Sequence, residues 1–355
     1  MPRRLDENLR HGIGGGGVED IRELLRAGVT TASWLEHLEA IGPPDFEVAL
    51  PAADDLPPVL LDLAVPHEEI DRLVAMLPLL NQSPGLWWLL ERCAHSLVRT
   101  MDTVDRPPWF PALPESLGVL QRYFFVYVFL AALPTVRAFH RARAIPDEVS
   151  RRTLADLGRH MAVHRRNHGQ GGFDNAFWLM LHFRGEIYEL GRLQFERARL
   201  GRRTGEAMAA AGLPYGPGDS ALSVHIPAFW GPMTPAACDA SFARARVFFA
   251  RHFPEEPYEI AVCHSWLIDE QLAEYLPEES NIIQFQRRFH LAYRPGADEA
   301  SDASIVRFVF GLTNVTPDVL PRRTTLERAV GDHLRAGRHW HGGAGWLKLA
   351  GAERG

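Results

Sequence analysis

The chain has 355 residues, 46% of them apolar, a formal charge of −6 and three cysteines. That is enough apolar material for two domain cores, and the charge excludes the basic surface that nucleic acid or an anionic membrane requires. Cys93, Cys238 and Cys263 lie far apart and are odd in number, which excludes a disulfide framework and fits the cytoplasm.

The N-terminus, Met1-Pro2-Arg3-Arg4 followed by Asp6 and Glu7, has no apolar stretch after its arginines, so no secretory signal is expected. Gly14 to Gly17 read as a hinge. From Val18 to about Ala144 the apolar spacing is helical: Ile21, Leu24 and Leu25, then Trp34, Leu35 and Leu38, Ile70, Leu73, Val74 and Leu77, and Leu86, Leu89, Leu90 and Cys93. Five prolines in 43–58 predict an extended connection, and Pro107, Pro108, Pro111 and Pro114 a second break. Residues 123–133 are apolar and aromatic, end at Pro134, and are too short for the ~20 residues of a membrane span, so they predict a buried central helix. Ile145-Pro146-Asp147 is the expected boundary, giving an α-helical domain over 1–147 and a second domain over 148–355.

A helix is expected from Glu148 to about His164. Residues 177–183 and 187–199, either side of Arg184-Gly185-Glu186, predict an antiparallel hairpin. Residues 221–227 alternate as a half-buried strand, and Gly231-Pro232-Met233-Thr234-Pro235 breaks the chain before a helix at Ala236. Thr234 stands at the N-cap and Pro235 at the first helical position, where its missing N–H is harmless. The free amides and positive dipole end of that helix suit a pyrophosphate or other anion. A second strand, 258–263, runs into Cys263-His264-Ser265-Trp266, and a short helix over 269–276 carries Tyr275. Residues 281–293 and 304–310 predict further strands and 325–336 a last helix, so the second domain is α+β with a mixed sheet.

The order strand, loop, helix, strand, helix resembles the centre of the GNAT superfamily of acyl-CoA-dependent N-acyltransferases. The segments LGRHMAVHRRNHGQGG (157–172), FRGEIYELGRLQFERARL (183–200), HSWLIDEQLAEYLP (264–277) and SNIIQFQRRF (280–289) resemble two-domain proteins that join a helical N-acyltransferase N-terminal domain to a GNAT-like C-terminal domain. The superfamily's usual glycine-rich pyrophosphate pattern does not follow the 221–227 strand; Gly231 to Pro235 take its place. The resemblance implies transfer from acetyl-CoA or another acyl-CoA, as co-substrate and without a metal, to the amine of a small molecule or peptide by direct attack. It also implies that the helical domain closes one side of the cleft. By position, Val224, His225 and Ile226 on one strand and Cys263, His264 and Ser265 on the other would line a gap that holds the thioester. Gly231, Met233, Thr234 and Ala236 would hold the nucleotide end, and Trp266 would border the acceptor.

Amide formation needs a deprotonated amine, a polarised carbonyl and a proton for the leaving thiolate. His225 and His264 are candidate bases, against the plainer reading of strand-end histidines bonded to loop carbonyls. Tyr275 occupies the helix where the resemblance implies a tyrosine that protonates the thiolate; otherwise it packs with Leu272 and Leu276. Glu196 could bind an ammonium or act as base, and otherwise forms a surface pair with Arg197 or Arg199. Cys263 as nucleophile is disfavoured, because neighbours on a strand point to opposite faces and His264 could not easily serve it. His160, His164 and His168 recur at helical spacing, but without a nearby acidic partner they read as a solvated or anion-facing stripe, and no metal is expected. Arg338 to Gly343 read as a loop packed by Trp340. Two alternatives stay open: a non-catalytic acyl-CoA sensor or partner module with the same fold, and a Cys/Ser hydrolase of thioesters or amides. The acceptor, the acyl length and the oligomeric state are left open.

Overall fold

The computed structural model describes residues 16–104, 107–294, 296 and 299–349. The polar leader, read as lacking a signal, and the first half of the glycine hinge lie outside them. The chain forms two compact units, Met1–Ile187 and Tyr188–Gly355. The expected division at 147 therefore moves forty residues on, because Pro146 caps the start of another helix of the same unit.

The regular structure of the first unit's described residues is helical: α1 Val18–Arg26, α2 Val29–Ala40, α3 Leu56–Asp62, α4 His67–Gln82, α5 Pro84–Val98, a 3-10 segment Glu115–Arg122, α6 Phe124–Ala142, α7 Asp147–Leu154, α8 Asp156–His168 and α9 Ala176–Phe183. α6 is the central helix, with every residue from Phe124 to Leu133 buried. It does not stop at Pro134, whose ring lies on the exposed side and disturbs no core contact. The expected strand over 177–183 is instead α9, whose Leu179, Met180 and Phe183 are buried in the same core as Phe129, Leu157 and Met161, while Phe177 is exposed. A short apolar run does not distinguish a buried strand from a buried helix. Arg184-Gly185-Glu186 is not a hairpin turn. Gly185 has φ +73, and a Cβ there would come within 2.3 Å of Phe139, while Arg184 and Glu186 pair at 2.6 Å in the interior.

The second unit is built on a six-stranded mixed sheet in the order β1-β2-β3-β4-β6-β5. The strands are β1 Ile187–Glu189, β2 Gln194–Arg199, β3 Ser220–His225, β4 Ile260–Ser265, β5 His290–Tyr293 and β6 Gly343–Lys348. The hairpin falls inside 187–199, its turn closed by Leu190 N donating to Leu193 O at 3.0 Å. Helices α10 Arg202–Ala210, α11 Pro235–His252, α12 Asn281–Gln286, α13 Asp302–Phe310 and α14 Thr325–Arg335 complete the unit. Of the strands expected over 281–293 and 304–310, only His290–Tyr293 is one; Ser280 caps α12 through Ile283 N, and 304–310 belongs to α13.

β3 and β4 are parallel and joined through α11, as a crossover requires. Alternation gives the sheet two faces. Phe195, Leu222, Val224, Ala261 and Cys263 take the face that α11 covers, with Phe195 edge-on to Phe242 at 5.5 Å. Ala221, Ile260 and Val262 take the other face, with Leu200 and Met208 of α10. Arg197 is fully buried and donates to both carboxylate oxygens of Glu256, at 2.9 and 2.5 Å, while its guanidinium lies 4.1 Å from the Phe253 ring. Glu196 is thereby released from the pairing with Arg197 that its sequence neighbourhood suggested.

Candidate active site

The two parallel strands are in register only at Leu222↔Ala261 and Ser223↔Val262. Beyond those positions β3 keeps its antiparallel partner β2 to its end, with Phe195↔Val224 and Gln194↔His225. β4 likewise stays on β6, with Cys263↔Gly345, His264↔Ala344 and Ser265↔Gly343. Two strands that each hold their outer neighbour but lose each other have opened a gap between them. Backbone amides on the lips of such a gap can serve a ligand carbonyl.

On the α10 face, three titratable side chains converge at this gap. Glu196 stands opposite Ser223, so His225, two residues further along, is its diagonal neighbour on the same face. The His225 Nε2 to Glu196 Oε2 distance is 2.7 Å, and both side chains are partly open to solvent, at 27% and 20%. A carboxylate in that position fixes the orientation of the ring. His264, on the facing lip, has its Nε2 3.2 Å from Thr204 Oγ1 of α10. Its pKa is lowered from the ordinary 6.5, first by desolvation and then by the charge of His225, with Glu196 opposing. The His264 imidazole reaches solvent while the surrounding protein disfavours its charged form, so it is neutral near pH 7.

The loop from β3 to α11 leads into an exposed helix N-terminus. Thr234 Oγ1 accepts from Ala237 N at 3.3 Å, so Thr234 is the N-cap and Pro235 opens the helix. Gly231, Pro232, Thr234, Pro235 and Ala236 are exposed, which leaves the helix tip open. Trp230 and Gly231 both take positive φ, +75 and +68; for a bulky tryptophan that is strained backbone of the kind found at functional loops. Arg192 fastens this loop by donating from Nε to Gly231 O at 3.0 Å and from Nη1 to Pro227 O at 3.1 Å. Both acceptors are neutral, burial pulls its pKa down, and among the described residues no carboxylate pairs with it. It is therefore a cation available to an anion at the tip of α11.

Other sequence candidates are placed differently. Cys263 is fully buried on the α11 face, and burial pushes its thiol up to about 12, which removes it as a nucleophile near neutrality. Ser265 Oγ accepts from Leu267 N at 3.1 Å and so caps the 3-10 turn Trp266–Ile268; it is engaged in backbone structure. Val224 and Met233 are buried, whereas Ile226 and Trp266 are half-buried. Tyr275 follows the 3-10 turn Glu270–Glu274; its hydroxyl is 3.0 Å from His333 Nδ1 of α14, and Arg338 Nη1 donates to it at 3.4 Å. That hydroxyl belongs to a cluster packed on the fully buried Trp340. Arg192 and Thr204 were missed in the sequence: an arginine in a hairpin turn and a threonine in a helix carry no spacing signal, and only the fold brings them to the gap.

No curated protein matches the chain. A family model described as an N-acyltransferase N-terminal domain matches residues 54–185, and one described as a GNAT-like C-terminal domain matches 187–347. Among solved structures, an acyltransferase in complex with decanoyl-CoA and teicoplanin is 44% identical, with 94% of this chain and 100% of that chain covered and a TM-score of 0.85. A mutant acyltransferase in complex with octanoyl-CoA matches with the same figures. An acyltransferase in complex with decanoyl-CoA matches at 41% identity and a TM-score of 0.84, again with 94% and 100% covered. The chain belongs to the two-domain N-acyltransferases, in which a helical N-acyltransferase domain precedes a GNAT-like domain, and it is an acyl-CoA-dependent acyltransferase.

Proposed function

We propose that the enzyme moves a medium-length acyl chain, eight to ten carbons long, from CoA to an amine of a glycopeptide, and that it does so in the cytoplasm. What carries this reading is the 44% identity, over 94% of the chain, to acyltransferases in complex with octanoyl-CoA or with decanoyl-CoA and teicoplanin. The free, buried cysteines fit a reducing compartment. No single helix among the described residues is long and apolar enough to cross a membrane.

In the mechanism, the CoA pyrophosphate rests on the exposed tip of α11 with Arg192 beside it, which adds a charge to the helix amides and dipole. The thioester carbonyl lies in the gap between β3 and β4 and takes hydrogen bonds from strand amides. The neutral acceptor amine attacks the carbonyl carbon directly. His225, oriented by Glu196, takes one amine proton as the carbon–nitrogen bond forms; the carbon–sulfur bond then breaks, and the imidazolium returns that proton to the thiolate. The products are an amide and free CoA thiol, with no proton gained or lost. His264, kept neutral by its surroundings, hydrogen-bonds the acceptor across the gap. Glu196 attracts the incoming ammonium before it loses its first proton to solvent.

Measuring thiol release from decanoyl-CoA with and without teicoplanin tests the proposal. Release that requires the glycopeptide, with an acylated product of matching mass, is expected. Binding of decanoyl-CoA without any release would favour the sensor alternative, and equal release without acceptor would favour a hydrolase.

A further inference from the structure

The helical unit holds a second cluster, outside the acyl-transfer machinery. α8 places His164 and His168 one turn apart, so both rings leave the same side of the helix, 4.4 Å apart and inclined at 36°. Gly169, at φ +65, ends the helix, and the turn that follows brings Asp174 back over the two rings. The sequence stripe was read as lacking an acid; the fold supplies one from six residues further along. One ligand atom from each of the three residues lies within 4.8 Å of the others.

Two observations separate this cluster from an ordinary hydrogen-bonded one. First, His164 is only 6% exposed, yet neither of its ring nitrogens makes a well-formed hydrogen bond, the Asp174 carboxylate standing off at 3.4 Å. A buried polar side chain left so is rare and calls for a partner. A Cβ at Gly172 would come within 3.0 Å of His164 Nε2, so the glycine turn closes over that nitrogen and Nδ1 is the one turned to Asp174. Second, Asp174 Oδ2 is 3.4 Å from His164 Nδ1 and 3.3 Å from His168 Nε2. Charge-assisted hydrogen bonds are shorter, about 2.7 to 2.9 Å. Two ligands on one tetrahedral ion with bonds of about 2.0 to 2.1 Å stand about 3.3 to 3.4 Å apart, which is the spacing seen. The nearest arginine along the helix, Arg165, is turned away: its guanidinium lies 2.6 Å from the buried Glu69, so its charge is spent elsewhere.

We propose that His164 Nδ1, His168 Nε2 and Asp174 Oδ2 bind a first-row divalent cation of the zinc(II) class, with water as fourth ligand. Two imidazoles and one carboxylate match that ion in donor type, and the two carboxylate–imidazole distances match its spacing. The ion ties the turn over 169–174 to the end of α8. Its role is structural, because acyl transfer from a thioester is downhill and uses the gap in the other unit.

The test uses the full chain, stripped with chelator and titrated with zinc(II) alone by calorimetry, and with cobalt(II) for its tetrahedral visible bands. One ion per chain, a tetrahedral cobalt spectrum and a higher melting temperature with zinc(II) are expected. His168→Ala and Asp174→Ala, both at solvent-exposed positions, lose the ion and the spectrum while keeping the circular dichroism and acyl transfer of the parent. No saturable binding at micromolar ion, or unchanged binding in the double variant, overturns the site.

Discussion

The helical unit and the sheet unit both bury charge, and they finish the task differently. In the helical unit Glu69 is fully enclosed, but Tyr123 donates to it at 2.5 Å and Arg165 at 2.8 Å, so the carboxylate is satisfied and inert. In the sheet unit Arg197 is just as enclosed and just as completely matched by Glu256, to which Tyr258 also donates. One strand position away, Glu196 and His225 also pair, but they do so partly in solvent beside strands that have let go of each other. A saturated polar pair inside a core is scaffold. The same chemistry on an unpaired strand lip has capacity left for a substrate.

The comparison breaks first at His225. His225→Ala should lower kcat with decanoyl-CoA by roughly 10²- to 10⁴-fold, the usual worth of a positioned acid–base group, while the partly exposed position limits the change in melting temperature. A loss under threefold would make the pair scaffold like the others. A smaller effect is expected from acid on the helical unit. Burial, with the charge of Arg137 adding, pushes His140 down to about 4 from 6.5 in the unfolded chain. The folded state then refuses a proton that the unfolded state accepts, so the stabilisation is complete above pH 6.5 and drains away as pH falls towards 4. The shift amounts to on the order of 3 kcal/mol, and His140→Gln should flatten that part of a stability-against-pH curve measured by chemical denaturation. The smallest effect belongs to Tyr275→Phe. Losing the contact with His333 should cost about 1 kcal/mol in denaturation and leave kcat nearly unchanged. A hundredfold fall in kcat would instead make this hydroxyl the acid that the leaving thiolate meets.

The helical spacing of the first unit, the N-cap at Thr234 and the strand–loop–helix–strand order around it were all legible in the sequence, whereas the short helix expected over 269–276 is a 3-10 turn ending at Glu274. Each rests on local period or on capping and turn chemistry, and these act within a few residues. The misreadings share one cause. Residues 177–183 and 304–310 are apolar runs too short for their period to decide between helix and strand, and neighbours far away in sequence settle the matter. The unit boundary failed likewise: proline and charge at Pro146 mark the break between two helices, but whether a core continues past it is a matter of packing.

Residue type and local spacing by themselves determined that a helical region precedes a strand–helix–strand unit, that α11 begins at a capped tip, and that His225 and His264 stand near the ends of two strands; that those strands are neighbours was implied by the family resemblance. The tertiary structure alone decided that β3 and β4 part after two residue pairs, that Glu196 turns to His225 and not to Arg197, that Arg192 reaches the α11 loop and that Asp174 folds back on two histidines. Register, face and distance between remote segments are set by which side chains share a core. No window of sequence contains that information.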